Sequence, residues 1–223
     1  MISVTKPEEI RQGIEELNRA CPFAPELDGY APRLCLFEAG ETVLSFESPV
    51  RYLYLVVTGT LFAAIPNANG DLLLHVFCGP GDSLGELELF RGCGSISQVK
   101  SYSQSRCLQI DIGRYRRKMM EDPAFLFYLA ENLAVKLEGT AVNSAQNLLL
   151  PVESRLARRI LLQEHGGIYR ENLSVITKFL GTSYRHLQRC LEGMINKGCL
   201  VRSARGVYRI QDRAALKQLA KKD

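Results

Sequence analysis

The 223-residue sequence lacks the features that would carry it out of the cell or into a bilayer. Met1 is followed by no charged-then-apolar leader, and no apolar run approaches the roughly 18 residues that a spanning helix needs. These absences predict a cytoplasmic protein with no membrane partner. Histidine is scarce: of three, only His75 lies before residue 150, while His165 and His186 come later. A metal enzyme on a cupin-like roll needs two or three histidines and a Glu on one ion, and the sequence does not supply them. No nucleophile–base pair and no P-loop spacing occurs, so neither a catalytic residue nor a metal site is predicted. The seven cysteines are odd in number, and no two stand closer than nine residues. Such a set fits a reducing cytosol better than a disulfide scaffold. Repeats and low-complexity segments are also absent.

What is present is unevenly charged. Residues 151–223 carry 15 Lys and Arg against 6 Asp and Glu, a net of +9; residues 1–150 carry 13 against 18, a net of −5. A basic segment on an acidic body is the footprint of a nucleic-acid-binding module joined to something else. Within the basic segment, 172–210 reads as helix, tight turn, helix and short hairpin. Leu173, Ile176, Phe179 and Leu180 form one helical face, and Gly181 can take the positive φ that ends it. After Thr182, Ser183 is placed to N-cap the second helix. Leu187, Cys190, Leu191, Met194 and Ile195 then make an apolar stripe, while Tyr184, Arg185, Gln188, Arg189 and Glu192 fall on the other side. That polar face suits a DNA major groove, where Arg pairs with guanine and Gln with adenine through two hydrogen bonds each. Past Gly198, apolar residues alternate with Arg202, Arg205 and Arg209 around a turn near 204–206, as in a wing lying along phosphate.

The first half has a different rhythm. Residues 1–20 predict a short N-terminal helix, with Ile10, Ile14 and Leu17 at helical spacing. From Arg33 to Asp111, strand-length apolar runs alternate with Gly40, Ser48-Pro49, Gly59, Asn67-Ala68-Asn69-Gly70 and Gly79-Pro80-Gly81. Many short strands with regular turns predict an antiparallel sandwich or roll. The run YLYLVV, apolar on both faces, is expected centrally, between two sheets. Arg114 to Glu121 reads as a short basic helix. Asp122-Pro123 then opens a helix of roughly 27 residues, about 40 Å long. Leu126, Leu129/Ala130, Leu133, Leu137, Thr140/Ala141, Ser144 and Leu148 recur along it at spacings of three and four. It is too long for a small roll to bury alone, and a symmetric pair of such helices is the simplest partner. Pro151 ends it as a hinge, and VESRLARRILLQ starts the basic domain.

Roll, long helix, hinge and winged helix-turn-helix, in that order and size, resemble the CRP/FNR superfamily of bacterial transcription regulators. The most specific pieces are GDSLGELELF (81–90), which resembles the family's phosphate-binding cassette, and LGTSYRHLQRCL (180–191), which resembles its helix-turn-helix. TSYRHL together with GELEL is most similar to the YeiL-type branch. The resemblance implies an α+β chain in three parts. Residues 1–122 would be an effector-sensing jelly-roll domain like those that bind cyclic nucleotides, 123–150 a dimerisation helix, and 151–223 a winged helix-turn-helix. It further implies a homodimer on palindromic double-stranded DNA under an unknown small-molecule effector, and RNA polymerase as a partner where the protein activates. Tyr184, Arg185 and Arg189 fall where the family reads bases and Ser183 where it holds a phosphate, though Tyr184 replaces the commoner basic residue.

The implied effector pocket comprises Gly85, Glu86, Leu87, Ser97 and Thr140. Gly85 and Glu86 match the family, whose Glu takes the ribose hydroxyl of a cyclic nucleotide. The Arg-Ser pair that neutralises the phosphate is replaced by Gly94-Ser95-Ile96-Ser97, with no Arg between Arg91 and Arg106. The Thr-Ser pair on the long helix appears as Thr140-Ala141. A buried phosphate without a cation is costly, so cyclic AMP is not expected as the effector. Spacing supports no iron–sulfur cluster, because only Cys21 and Cys35 precede residue 78. Haem would find one axial candidate, His75. A redox disulfide between Cys21 or Cys35 and Cys78, Cys93 or Cys107 is the alternative input. Two other functional classes compete: a cupin-like roll enzyme, and a cyclic-nucleotide module acting on a protein partner, which would leave the basic wing unused.

Overall fold

The computed structural model describes residues 2–4, 6–66 and 72–221, so the expected turn at 67–70 lies outside the described residues. The chain divides into two compact units, 1–140 and 141–223.

The first unit is an antiparallel sandwich flanked by helices. Strand β1 (Ile2–Val4) precedes helix α1 (Pro7–Ala20) and pairs with β2 (Arg33–Phe37). The expected helix over 1–20 therefore starts only at Pro7. Proline is preorganised for the first helical position, and the β-branched residues before it suit a strand. The other strands are β3 (Thr42–Leu44), β4 (Tyr52–Thr58), β5 (Leu61–Pro66), β6 (Leu72–Cys78), β7 (Ser83–Leu84), β8 (Gln98–Ser101) and β9 (Ser105–Asp111). They form a five-stranded sheet, β1-β2-β9-β4-β7, and a four-stranded one, β3-β8-β5-β6. Helix α2 (Glu86–Arg91) follows β7, and α3 (Ile112–Glu121) follows β9.

The two apolar faces of YLYLVV have a different cause from the expected one. β4 does not lie between the sheets; it is a strand of the five-stranded sheet, between β9 and β7. Leu53, Leu55 and Val57 point into a cluster with Leu17 and Phe125, under the helices, whereas Tyr54 and Val56 point into a second cluster with Leu61, Ala63 and Val99 of the opposite sheet. Period-two alternation serves two cores at once. β9 does the same with Cys107 on one side and Leu108 and Ile110 on the other.

Helix α4 (Pro123–Leu149) docks its first half on the roll. Phe125, Tyr128, Leu129 and Asn132 are buried, and Lys136 follows on the same face one turn later. The expected apolar stripe is therefore split. Leu129 belongs to the face that packs on the roll, while Ala130, Ala134, Leu137, Ala141, Ser144, Ala145 and Leu148 lie on the opposite, exposed face. Leu137 is 71 % and Leu148 85 % exposed.

In the second unit α5 (Val152–Gln163), α6 (Leu173–Phe179), α7 (Tyr184–Asn196) and α8 (Arg213–Ala220) surround a three-stranded sheet. Its order is β10-β12-β11, with β10 (Ile168–Arg170), β11 (Leu200–Ala204) and β12 (Val207–Ile210). The expected hairpin thus gains a third strand, entered through Gly166 and Gly167, both at positive φ. The last turns of α4 belong to this unit. Asn147 donates to the Phe179 carbonyl at 3.1 Å, and Arg155 donates to both Asn147 Oδ1 and the Leu180 carbonyl. The Pro151 bend consequently lies inside the second unit.

Candidate nucleic-acid interface and effector pocket

The helix-turn-helix is built by local hydrogen bonds. Asn172 caps α6 by accepting from the Ser174 amide at 3.1 Å. Gly181, at φ 56°, reverses the chain, and the Thr182 amide donates to the Thr177 carbonyl at 3.0 Å. Ser183 Oγ accepts from the His186 amide at 3.2 Å and starts α7. Leu187, Leu191 and Met194 are buried and Cys190 is half-buried, which leaves Tyr184, Arg185, Arg189 and Glu192 exposed and Gln188 partly so. Gln188 Nε2 donates to Tyr184 Oη at 3.1 Å, and Arg189 Nη2 lies 3.1 Å from His186 Nδ1.

Next to this face stands the β11–β12 hairpin, turning at Arg205-Gly206, with Arg202 and Arg205 exposed. A groove of about 680 Å³ runs between helix and hairpin, lined by Tyr184, Gln188, Arg202, Arg205 and Gly206, with Asn172 and Ser174 at the start of α6. The structure thus brings Tyr184, Gln188, Arg202 and Arg205 to one groove, with Thr182, Ser183, Arg185 and Arg189 on the adjoining turn and helix. Exposed Arg beside polar side chains on one helix is competent for base-edge and phosphate hydrogen bonds.

Sequence reasoning missed the supports. Arg155, 7 % exposed, sits on the C-terminal carbonyl of Leu180 just before the turn, where a cation complements the end of α6. Burial pulls its guanidinium below the usual value. Arg159 pairs with Glu171 and lies over the Phe179 ring, 5.0 Å from its centroid. These residues stand among other charges in sequence, and nothing in their spacing separates them from a solvated face.

In the first unit, Gly85 takes φ 95° at the start of α2, where a Cβ would meet the Tyr52 carbonyl at 2.9 Å. Glu86 is 4 % exposed, and its Oε1 accepts from Lys136 Nζ at 2.5 Å. Lys136 also donates to the Ser83 carbonyl. One turn earlier, Asn132 Oδ1 accepts from the Ser83 amide at 2.7 Å, and Tyr128 donates to the Gly81 carbonyl at 2.9 Å. The 81–86 segment is therefore strapped to α4 by Tyr128, Asn132 and Lys136, three residues that no sequence motif marks. Burial pulls the Lys136 ammonium down, but the acidic groups around it, Glu86 foremost with Cys78 and Asp82, together hold it above the ordinary lysine range.

The remaining pocket candidates are scattered. Leu87 is exposed, Ser97 is buried, and Thr140 is half-buried four residues past Lys136. The 94–97 segment is spent on its own structure. Ser95 Oγ donates to the Ser97 carbonyl at 2.9 Å, the Ser95 amide donates to the Ser48 carbonyl, and the Glu47 amide donates to the Ser95 carbonyl. The 94–97 segment thus carries no cationic side chain, and its two serines, Ser95 and Ser97, are buried.

His75 is half-buried, with Nδ1 lacking a hydrogen-bond partner. Burial and then the Lys136 charge push its pKa below the usual 6.5. The unfolded chain therefore takes a proton that the folded one refuses. Stability from this site is full above about pH 6.5 and falls as the pH drops below it. His75→Gln should flatten the loss of thermal stability between about pH 7 and pH 5; an unchanged slope would assign that loss to other groups.

Cys35, Cys78 and Cys107 meet in one core cluster, and Cys35 and Cys107 are register partners across β2 and β9. Burial pushes the Cys78 thiol up to about 12 and raises Cys107 as well. Such thiols carry little thiolate. In the folded protein a maleimide should label Cys93, which is exposed, well before these three; mass mapping that finds Cys107 modified first would contradict this placement. Among the described residues no group of three or more His, Cys, Asp or Glu is arranged to hold a metal ion, and no helix is long and apolar enough to cross a membrane.

Residues 34–122 match the cyclic nucleotide-binding domain family. The chain is 31% identical over 188 residues to the regulatory protein YeiL of Escherichia coli O157:H7, covering 84% of this chain and 85% of that one. It is 25% identical over 136 residues to the cAMP-activated global transcriptional regulator CRP of Haemophilus influenzae, covering 60% and 58%. The fold is similar to that of FixK2 from Bradyrhizobium japonicum, with a TM-score of 0.72 at 18% identity over 86% of this chain and 98% of that one.

Proposed function

Since the chain belongs to the CRP/FNR family of transcription regulators, we propose that it works as a homodimer that binds a palindromic DNA operator under the control of a small molecule held in the roll. The observation that carries this reading is the exposed polar face of α7 beside the arginine-bearing hairpin, on a unit whose sequence is strongly basic. Tyr184, Arg185, Gln188 and Arg189 read base edges; Thr182, Ser183, Arg202 and Arg205 hold phosphates. Residues 1–122 sense the effector, 123–150 pair the two copies and 151–223 bind DNA.

The exposed stripe on α4 supports the dimer. Ala130, Ala134, Leu137, Ala141, Ala145 and Leu148 recur every three or four residues and are exposed, a small-residue seam that two helices can close. Effector control is favoured over a cysteine switch because three of the five candidate thiols are buried. Cyclic AMP is not the effector in this reading, for want of a cation where its phosphate would lie. Signal passes as a population shift: ligand at Gly85–Glu86 alters the strap on α4, and the seam around Gly139 to Ser144 repacks.

The test is selection of bound sequences from a random duplex pool, followed by salt titration. A palindrome with half-sites roughly 34 Å apart, and affinity falling steeply with salt, is expected. Binding with no sequence preference would sink the assignment of α7.

A further inference from the structure

Two side chains on the polar face of α7 are tied to each other before any DNA arrives. Tyr184 is the first residue of the helix and Gln188 stands one turn on, on the same side; Gln188 Nε2 donates to Tyr184 Oη at 3.1 Å. Both line the groove beside the β11–β12 hairpin, whereas Arg185 and Arg189 do not. Arg189 is held separately, with Nη2 3.1 Å from His186 Nδ1. The carboxylate in the groove lining, Glu171, is paired with Arg159, so the acceptor atoms of a base edge meet no unmatched negative charge from it.

The tie has a chemical consequence. A glutamine amide is nearly symmetric in shape, and a half-turn of its last torsion exchanges the oxygen and nitrogen ends at little cost. A free one can therefore offer two N–H groups to the O6 and N7 acceptors of guanine, or Oε1 and one N–H to N6 and N7 of adenine. The bond to Tyr184 uses one of the two N–H groups. What is left is one acceptor, Oε1, and one donor, the second N–H. In the major groove adenine alone presents a donor and an acceptor side by side. Guanine sets its acceptors against Oε1, thymine brings an acceptor without a donor, and cytosine a donor without an acceptor.

We propose that Tyr184 is a positioning residue that fixes the Gln188 amide for adenine, so that each half-site carries an A·T pair read by Gln188 and closed to guanine. The inference rests on the reading of α7 as the recognition helix and names the base that one of its residues takes.

Competition binding of the full chain tests it, on the duplex selected from the random pool and on copies with each base pair of the half-site replaced in turn. One position should prefer adenine to guanine by about 5- to 150-fold, and Gln188→Ala should erase that preference there alone. Tyr184→Phe keeps the ring and removes the hydroxyl. It should lower the adenine preference at the same position about fivefold, while the Arg189 position and the thermal midpoint stay unchanged. In a Gln188→Ala background it should have no further effect there. Guanine preferred at the Gln188 position would mean that the amide is turned the other way, and overturns the proposal. So does a Tyr184→Phe protein that ranks the bases as the parent does, or one that weakens on every duplex alike. A parent that ranks no duplex above another fails the recognition reading, and the proposal with it. A ranked set in which Gln188→Ala changes nothing overturns the proposal alone.

Discussion

Replacing Lys136 by methionine is expected to destabilise the first unit by about 3–5 kcal/mol, the cost of stranding a buried charge. Methionine keeps most of the stem, so packing changes little. What is lost is the counter-charge to Glu86, whose side chain is only 6 % exposed, and the donor to the Ser83 carbonyl. Adding Glu86→Gln should restore much of the loss, because the stranded carboxylate is gone. The chain has no tryptophan, so calorimetry or far-ultraviolet circular dichroism is the readout. The unfolding midpoint should fall in the single variant and partly return in the double. Equal stability of single variant and parent would mean that water reaches Glu86 and that the buried-pocket geometry is wrong.

Arg189→Ala should remove about 1–3 kcal/mol of discrimination at one base pair of each half-site, about 5- to 150-fold. Affinity for unrelated duplex should change little. Arg189 is exposed on α7, with its guanidinium beside His186 and its stem clear of the core. Arg205→Ala should do the reverse. Arg205 is exposed at the tip of the β11–β12 hairpin, and if it holds a phosphate as proposed, binding should weaken alike on all sequences and the salt slope fall by about one. Competition binding against a set of single-base operator variants distinguishes the two. An Arg189→Ala protein that ranks every variant as the parent does would remove this residue from the recognition face.

Patterns carried by neighbouring residues are legible in the sequence itself. The stripe of Leu187, Leu191 and Met194, the Ser183 cap and the Gly181 turn are local chemistry, and each stands where spacing places it. The strands from Arg33 to Asp111 follow from short apolar runs and turn residues in the same way. Local signals fail where two meanings share one pattern. Ile2–Val4 joins a sheet whose partner strand is some thirty residues away. YLYLVV is apolar on both faces because helices cover one side of its sheet and a second sheet the other.

Composition and spacing alone determine that the chain pairs a strand-rich acidic half with a basic helix-turn-helix half, because periodicity and charge are written residue by residue. Only the tertiary structure decides which face of α4 belongs to the roll, and that Lys136 and Glu86, fifty residues apart, share one buried pair. It also decides that Arg155 braces the turn before α7 while Arg185 and Arg189 remain exposed. A charged side chain reads the same in sequence whether it meets water or a buried partner. The difference lies in desolvation, and only long-range packing sets that.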